Sequence, residues 1–173
     1  DWSSDVCSSD LSRNEQGFAL IDLVFVCGMI GVLSSIAMPR MLLARQSASA
    51  ASAIGSMRAV NSAELSYAFT CGSGFYAPDL VVLGTPPSGS TEAYITPGLG
   101  GAASVVHSNY TIQVTGTPFH GAPPSCNGLA VGEAAQGFKA SAEPIEAGNS
   151  RFFATNSNVT IFEDTASLWA TMP

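Results

Sequence analysis

Hydrophobic residues form one uninterrupted run near the start of the chain. The segment from Phe18 to Pro39, FALIDLVFVCGMIGVLSSIAMP, contains a single charged side chain, Asp22. At about 1.5 Å per residue, a helix of this length reaches about 33 Å, which is enough to cross a hydrocarbon core of about 30 Å. The run therefore predicts a transmembrane helix over residues 18–39.

After Pro39 the pattern becomes that of an amphipathic helix. Residues 40–70 contain no proline and are rich in Ala, Ser and Met. A helical spacing with one polar interruption is kept by Ile54, Met57, Asn61, Leu65 and Ala68. We therefore expect one helix from Phe18 to about Thr70, and its second half must pack on another part of the chain.

Strands are predicted where apolar and polar residues alternate. In the first predicted strand, the apolar residues Tyr110, Ile112 and Val114 alternate with Thr and Gln. In the second, Phe138, Ala140 and Ala142 alternate with Lys, Ser and Glu. Shorter strands are expected at 151–154 and 159–162, separated by a turn at 155–158. Such patterns place one face of an antiparallel sheet on a helix and the other in water.

These elements predict an α+β fold, in which a long N-terminal helix packs on a small antiparallel sheet. The stretch between helix and sheet, residues 71–108, is dense in Gly, Pro and Ser and is expected to be a long loop. Residues 71–173 then form one globular sheet domain. We find no internal repeat in it.

Charge excludes one class of partner. The 173 residues include 13 acidic and 6 basic side chains, for a net charge of -7. From Cys71 to the end, two bases face seven acids. Binding to nucleic acid needs clustered Lys and Arg, so no nucleic acid partner is expected.

The first eleven residues, DWSSDVCSSDL, are expected to be a sequence artefact. They show no periodicity, and they back-translate in frame to a common sequencing-library adapter. Such segments are excluded from fold reasoning. Residues 12–17 are then the remnant of a leader whose true start is replaced.

Asp22 is the residue of the apolar run that most needs an explanation. A carboxylate within a membrane costs about 2.5 to 3.5 kcal/mol on insertion scales and usually faces a partner. Cleavage after Gly17 would give Phe18 a free amino group four residues from Asp22. An amine and a carboxylate about 4 Å apart attract by about 4 kcal/mol at an effective dielectric of 20. Within one helix this pairing is sterically poor, so the expected partner is the terminus of a neighbouring subunit.

The string G-FALID and the apolar run behind it resemble the N-terminus of type IV pilins and type II secretion pseudopilins. Gly17, Phe18, Asp22 and Pro39 match the family pattern in type and spacing, and Gly31 falls where the family has a helix-loosening glycine. The family usually has Glu where this chain has Asp22, whose reach is shorter by about 1.3 to 1.5 Å.

The resemblance implies a structural subunit rather than an enzyme. A prepilin peptidase of the membrane would cut after Gly17 and methylate Phe18. The helix would then leave the bilayer lipid, by way of an inner-membrane assembly platform, and pack with copies of itself through Asp22, Gly31 and Pro39. The resemblance thus places the protein in the bacterial inner membrane first and in a periplasmic or extracellular filament later. It does not separate a pilus from a secretion pseudopilus.

Two cysteines are expected to form a disulfide. Cys7 lies in the expected artefact and Cys27 in the membrane run, which leaves Cys71 and Cys126 in the folded part. An oxidising compartment would join them, and closing a loop of this size contributes about 4 kcal/mol in the chain-entropy model. The alternative is two buried thiols; a zinc site is disfavoured because the pair lacks spaced histidines.

No cofactor, metal or catalytic site is predicted. His107 and His120 sit in no spaced motif and are expected on loop surfaces. Glu143, Glu146 and Asp164 can supply oxygen ligands to calcium, but solvated surface acids are the favoured interpretation.

A different function remains open at this point. The chain can instead be a soluble periplasmic binding domain behind a cleaved secretory signal, with the mature protein starting near Met38. An apolar core longer than 7 to 15 residues, with an acid near its start, disfavours that alternative.

Overall fold

The computed structural model describes the backbone of residues 15–172 and the side chains of residues 20–172. The expected artefact, residues 1–11, therefore lies outside the described residues, as do residues 12–14 of the expected leader. The chain divides into two compact units, one ending at Arg45 and the other beginning at Gln46. Each is described by itself below.

The first unit consists of the N-terminal part of helix α1. This helix runs from Glu15 to Thr70 and continues through Pro39. Proline lacks an amide donor and crowds the preceding turn, so Pro39 weakens the helix locally without ending it here. The predicted helix end near Thr70 is confirmed.

The second unit combines the rest of α1 with a five-stranded sheet, which confirms the α+β prediction. The strands are β1 (Ser104–His107), β2 (Tyr110–Pro118), β3 (Ala135–Pro144), β4 (Phe152–Asn156) and β5 (Ile161–Asp164). Each strand pairs antiparallel with its neighbour in sequence, in the order β1-β2-β3-β4-β5.

The buried stripe of α1 differs in part from the predicted one. Met57, Asn61 and Ala68 are buried as expected, but Ile54 and Leu65 are only half-buried. The fully buried positions of the helix are Ala50, Ala53, Met57, Val60, Glu64 and Tyr67. The buried stripe of the helix therefore consists of two alanines at its start and larger side chains toward its end.

The predicted faces of β2 and β3 are confirmed. All six predicted inward positions, Tyr110, Ile112, Val114, Phe138, Ala140 and Ala142, are buried and join the core beneath α1. Among the predicted outward positions, Ser141 is also buried. The C-terminal residues pass over this part of the sheet: Lys139 donates to the carbonyl of Trp169, and Ser167 contacts Glu143.

The prediction of a long loop over residues 71–108 is wrong in part. This stretch contains two short helices, α2 (Leu80–Leu83) and α3 (Pro97–Gly100). The Asp79 carboxylate caps α2 by accepting the Val82 amide at 2.9 Å. A side chain at Gly84 would collide with the backbone of Gly100, so glycine allows the chain beyond α2 to contact α3.

The same stretch also contains strand β1, which the alternation rule did not find. β1 has only four residues, and a two-residue turn connects it to β2. Ser108 and Asn109 in that turn have φ values of 50° and 64°. Two positive φ values are the requirement of the tight hairpin turn whose twist matches that of the strands. His107 therefore lies at the end of a strand rather than on a loop.

The last hairpin is shifted by about two residues from its prediction. Thr155 and Asn156 belong to β4 instead of the turn, because the Thr155 side chain is buried and the residue pairs with Ile161 of β5. The turn covers 157–160, and β5 extends to Asp164 rather than ending at Phe162.

Candidate functional site

The N-terminal part of α1 exposes an apolar surface. From residue 20 to residue 43 every large hydrophobic side chain is exposed, with exposed fractions from 43% at Val26 to 71% at Ile21. Soluble monomers rarely expose contiguous apolar patches of this kind, which mark membrane or protein interaction sites. By length and composition, the helix is able to cross a membrane.

Asp22 is the one acid on this surface within the described residues. Its side chain is exposed, and it lies four residues after Phe18, which is one helical turn. Gly17 and Phe18 belong to the first turns of α1, and their side chains lie outside the described residues. The structure therefore places the predicted processing and assembly positions on one continuous helix.

Small residues shape the middle of the exposed helix. Built Cβ atoms at Gly28 and Gly31 would meet nothing within 4 Å. Gly28 also lies in a shallow surface groove of about 570 Å³ walled by Val24, Phe25, Met29, Val32 and Leu33. Small residues on an apolar helix let a second helix approach closely. Cys27, exposed on the same helix, is outside the disulfide.

The predicted disulfide between Cys71 and Cys126 is present. It joins the residue after the end of α1 to the connection between β2 and β3, and it closes a separation of 55 residues. The Cys126 amide also donates to the Cys71 carbonyl at 3.3 Å. The bond therefore fixes the C-terminal end of α1 to a segment without regular secondary structure.

A buried acid in α1 was missed in the sequence. Glu64 is fully buried; one carboxyl oxygen accepts the Ala77 amide at 2.9 Å, and the other has no hydrogen-bond partner among the described residues. Burial raises the pKa of Glu64 to about 8; the Ala77 hydrogen bond opposes the rise, and the charge of Asp79 adds to it. The sequence signal for this burial was helical spacing, because Glu64 lies four residues after Val60 and three before Tyr67, on the same face of α1.

Both basic side chains of residues 71–173 contact other groups of the chain. Arg151 forms a bidentate ion pair with Glu163, with Nε to Oε1 at 2.6 Å and Nη2 to Oε2 at 3.2 Å. The Arg151 guanidinium lowers the pKa of Glu163. Lys139 donates to the Trp169 carbonyl at 3.0 Å and lies over the Trp169 ring.

The structure does not assemble the acids considered for calcium. Glu143 contacts Ser167, and Glu146 accepts the Asn109 amide group at 3.1 Å. Asp164 contacts the adjacent Thr165. No group of three or more potential metal ligands occurs among the residues with described positions. His107 and His120 are exposed.

Neither a family model, nor a curated protein, nor a solved structure matches this chain.

Proposed function

We propose that this chain is a structural subunit of a type IV filament, either a pilin or a type II secretion pseudopilin. The observation that supports it best is the exposed apolar helix with one acid, Asp22, placed one turn after Phe18. A helix of this kind serves as a membrane anchor before assembly and as the filament core afterwards.

During assembly, the exposed part of α1 exchanges its contacts with lipid tails for contacts with the same helix of other subunits. Lipid tails and neighbouring helices are about equally apolar, so the exposed side chains lose little when one replaces the other. Gly28 and Gly31 allow close helix contact. A carboxylate in an apolar core needs a partner. The Phe18 amino group of the next subunit supplies that partner for Asp22 once the leader is removed.

Processing enzymes and location follow from the same proposal. A prepilin peptidase cuts after Gly17 and methylates Phe18, so the protein is a substrate of enzymes and not an enzyme. It resides in the bacterial inner membrane before an assembly platform transfers it to a periplasmic or extracellular filament. The disulfide between Cys71 and Cys126 fits an oxidising compartment for the sheet domain.

The mature N-terminus tests this proposal directly. We expect mass spectrometry of the protein produced with a prepilin peptidase to find N-methylated Phe18 as the first residue. A peptidase that is inactivated should leave the leader attached. A first residue near Met38 would instead identify a cleaved secretory signal and a soluble binding domain, and it would contradict the filament proposal.

Replacing Asp22 tests the role of its charge. We expect Asp22→Ala to be processed normally and to lose at least about nine-tenths of the filament yield, because the amino group of the neighbouring subunit then lacks a counter-ion. Asp22→Glu is the matched control and should assemble, since it keeps the charge and restores the side chain usual in the family. Sheared filaments are measured against total processed protein. Normal yield from Asp22→Ala would show the charge to be incidental.

A further inference from the structure

A second surface feature lies in the second unit of the chain. It is a groove of about 480 Å³ between α1 and the β4–β5 hairpin. Four helix residues and two hairpin residues line it: Arg58, Asn61, Ser62, Leu65, Val159 and Ile161. We call it the Arg58 groove. Its walls combine one cation, polar groups and exposed aliphatic carbons.

The two sides of the Arg58 groove are joined by hydrogen bonds of two buried side chains. Asn61 Nδ2 donates to the Thr155 hydroxyl at 3.0 Å and to the Val159 carbonyl at 3.4 Å. The Thr155 hydroxyl in turn donates to the Thr160 carbonyl at 3.0 Å. Asn61 and Thr155 are both buried. The hairpin turn is therefore fixed to the helix, and the groove is pre-formed.

The hairpin wall of the groove contains a strained residue. Val159 has a φ of 62°, a conformation that β-branched residues rarely adopt. An L-residue in this region costs about 1–2 kcal/mol relative to the right-handed region. Glycine or asparagine would relieve this strain, yet the sequence has a valine that is 41% exposed at the groove. Strain of this kind concentrates at functional positions.

Arg58 has no acidic partner in its own chain within the described residues. Its side chain is exposed, and Arg151 with Glu163 is the one ion pair that the described part contains. Lys139 is engaged by the Trp169 carbonyl. Arg58 is thus the uncommitted cation of the second unit, and it lies at the groove.

The charge of the chain indicates what Arg58 binds. Seven of the nine charged residues from Cys71 onward are acidic, and several of these acids are exposed: Glu92, Glu133, Glu146 and Asp164. A second copy of the sheet domain therefore offers carboxylates to any copy's Arg58. We propose that the Arg58 groove receives an acidic side chain of a neighbouring copy of this chain, with the aliphatic wall at Val159 covering its methylene groups. This inference rests on the proposed filament function.

Zero-length crosslinking of Arg58→Lys filaments tests the proposal. The substitution keeps the charge and introduces an amine that a carbodiimide can join to a carboxylate in contact. Filaments are assembled from a mixture of isotope-labelled and unlabelled full-length subunits, and crosslinked peptides are read by mass spectrometry. We expect crosslinks from position 58 to an acid after Cys71 with mixed isotope labels, which proves that two copies are joined. Arg58→Gln is the background control.

Two outcomes would overturn the docking proposal. One is crosslinks at position 58 that stay within one chain, lead to another protein or do not exceed the Arg58→Gln background. The other is an unchanged crosslink yield when Val159→Asn is added to Arg58→Lys. The Arg58→Lys/Val159→Asn variant should keep or raise the thermal midpoint of unfolding, because asparagine tolerates positive φ. Its crosslink yield should be lower than that of Arg58→Lys by about threefold or more.

Charge reversal separates the groove from the filament function itself. We expect Arg58→Glu to be processed at Gly17 and to give about tenfold fewer filaments, because like charges then face each other. Recovery is expected when the acid identified by crosslinking is changed to arginine. Wild-type yield from Arg58→Glu would overturn the groove proposal while leaving the filament function intact. Failure of the wild-type chain to be processed or to assemble would instead contradict the function.

Discussion

Glu64→Gln is expected to make the folded domain markedly more stable at pH 8 and to remove most of its pH dependence between pH 4.5 and 8. The wild-type carboxyl is buried, and its pKa rises to about 8 from an ordinary value of 4.5. Glutamine keeps an oxygen to accept the Ala77 amide, and its amide nitrogen takes the place of the protonated oxygen. Glutamine carries no charge at any pH.

The direction of the pH effect follows from which state holds the proton. Well below pH 4.5 the Glu64 carboxyl is protonated in both the folded and the unfolded chain, so it adds no pH dependence there. Between pH 4.5 and 8 the unfolded chain releases the proton and the folded chain keeps it. The free energy of unfolding then falls by about 1.4 kcal/mol per pH unit from this group. Wild type is therefore expected to be most stable at the acidic end of this window.

Urea unfolding of the full chain in detergent, followed by near-ultraviolet circular dichroism, measures this effect. We expect a wild-type loss of about 3 to 5 kcal/mol from pH 4.5 to 8 that Glu64→Gln does not show. Glu92→Gln, at an exposed position, is the matched control and should behave like wild type. Parallel pH profiles for wild type and Glu64→Gln would mean that Glu64 is not held protonated by the fold.

Removal of the disulfide has the second large expected effect. The double variant Cys71→Ala/Cys126→Ala should lose about 4 kcal/mol of unfolding free energy, because its unfolded chain is no longer restricted by a loop of 55 residues. The end of α1 then lacks its covalent connection to the segment between β2 and β3. The loss is measured by urea unfolding under oxidising conditions.

Two controls make the disulfide prediction specific. A reductant should lower the stability of wild type toward that of the double variant and should leave the variant unchanged. Cys27→Ala lies on the exposed apolar helix and should not alter unfolding of the sheet domain. A stability loss below about 1 kcal/mol in the double variant would show that other contacts hold this junction.

The long periodic segments were predictable from the sequence. The short strands β4 and β5 were predicted with bounds about two residues off, and β1, α2 and α3 were not predicted. The extent of α1 and the inward faces of β2 and β3 follow from repeated local patterns, and each is present. β1 has only four residues, two of them valine, which is too little alternation to detect. β1 forms because the turn at Ser108 and Asn109 brings it next to β2, with which it pairs.

The same physical distinction applies to the candidate sites. Asp22 stands out because a single charge in an apolar run is visible in the sequence alone. Glu64 does not, because its burial depends on the Ala77 amide, thirteen residues away along a chain that turns back on itself. The Arg58 groove depends on contacts even more distant in sequence, since Asn61 meets Thr155 across 94 residues.

The order of the strands also affects how the domain reaches its native state. Because every strand pairs with its sequence neighbour, each hairpin can close without waiting for a distant segment, and such local pairing favours rapid folding. The contacts between the sheet and α1 join distant parts of the chain, so they carry the larger loop-closure cost. We therefore expect the sheet to begin forming as successive hairpins, with docking of the helix as the slower step.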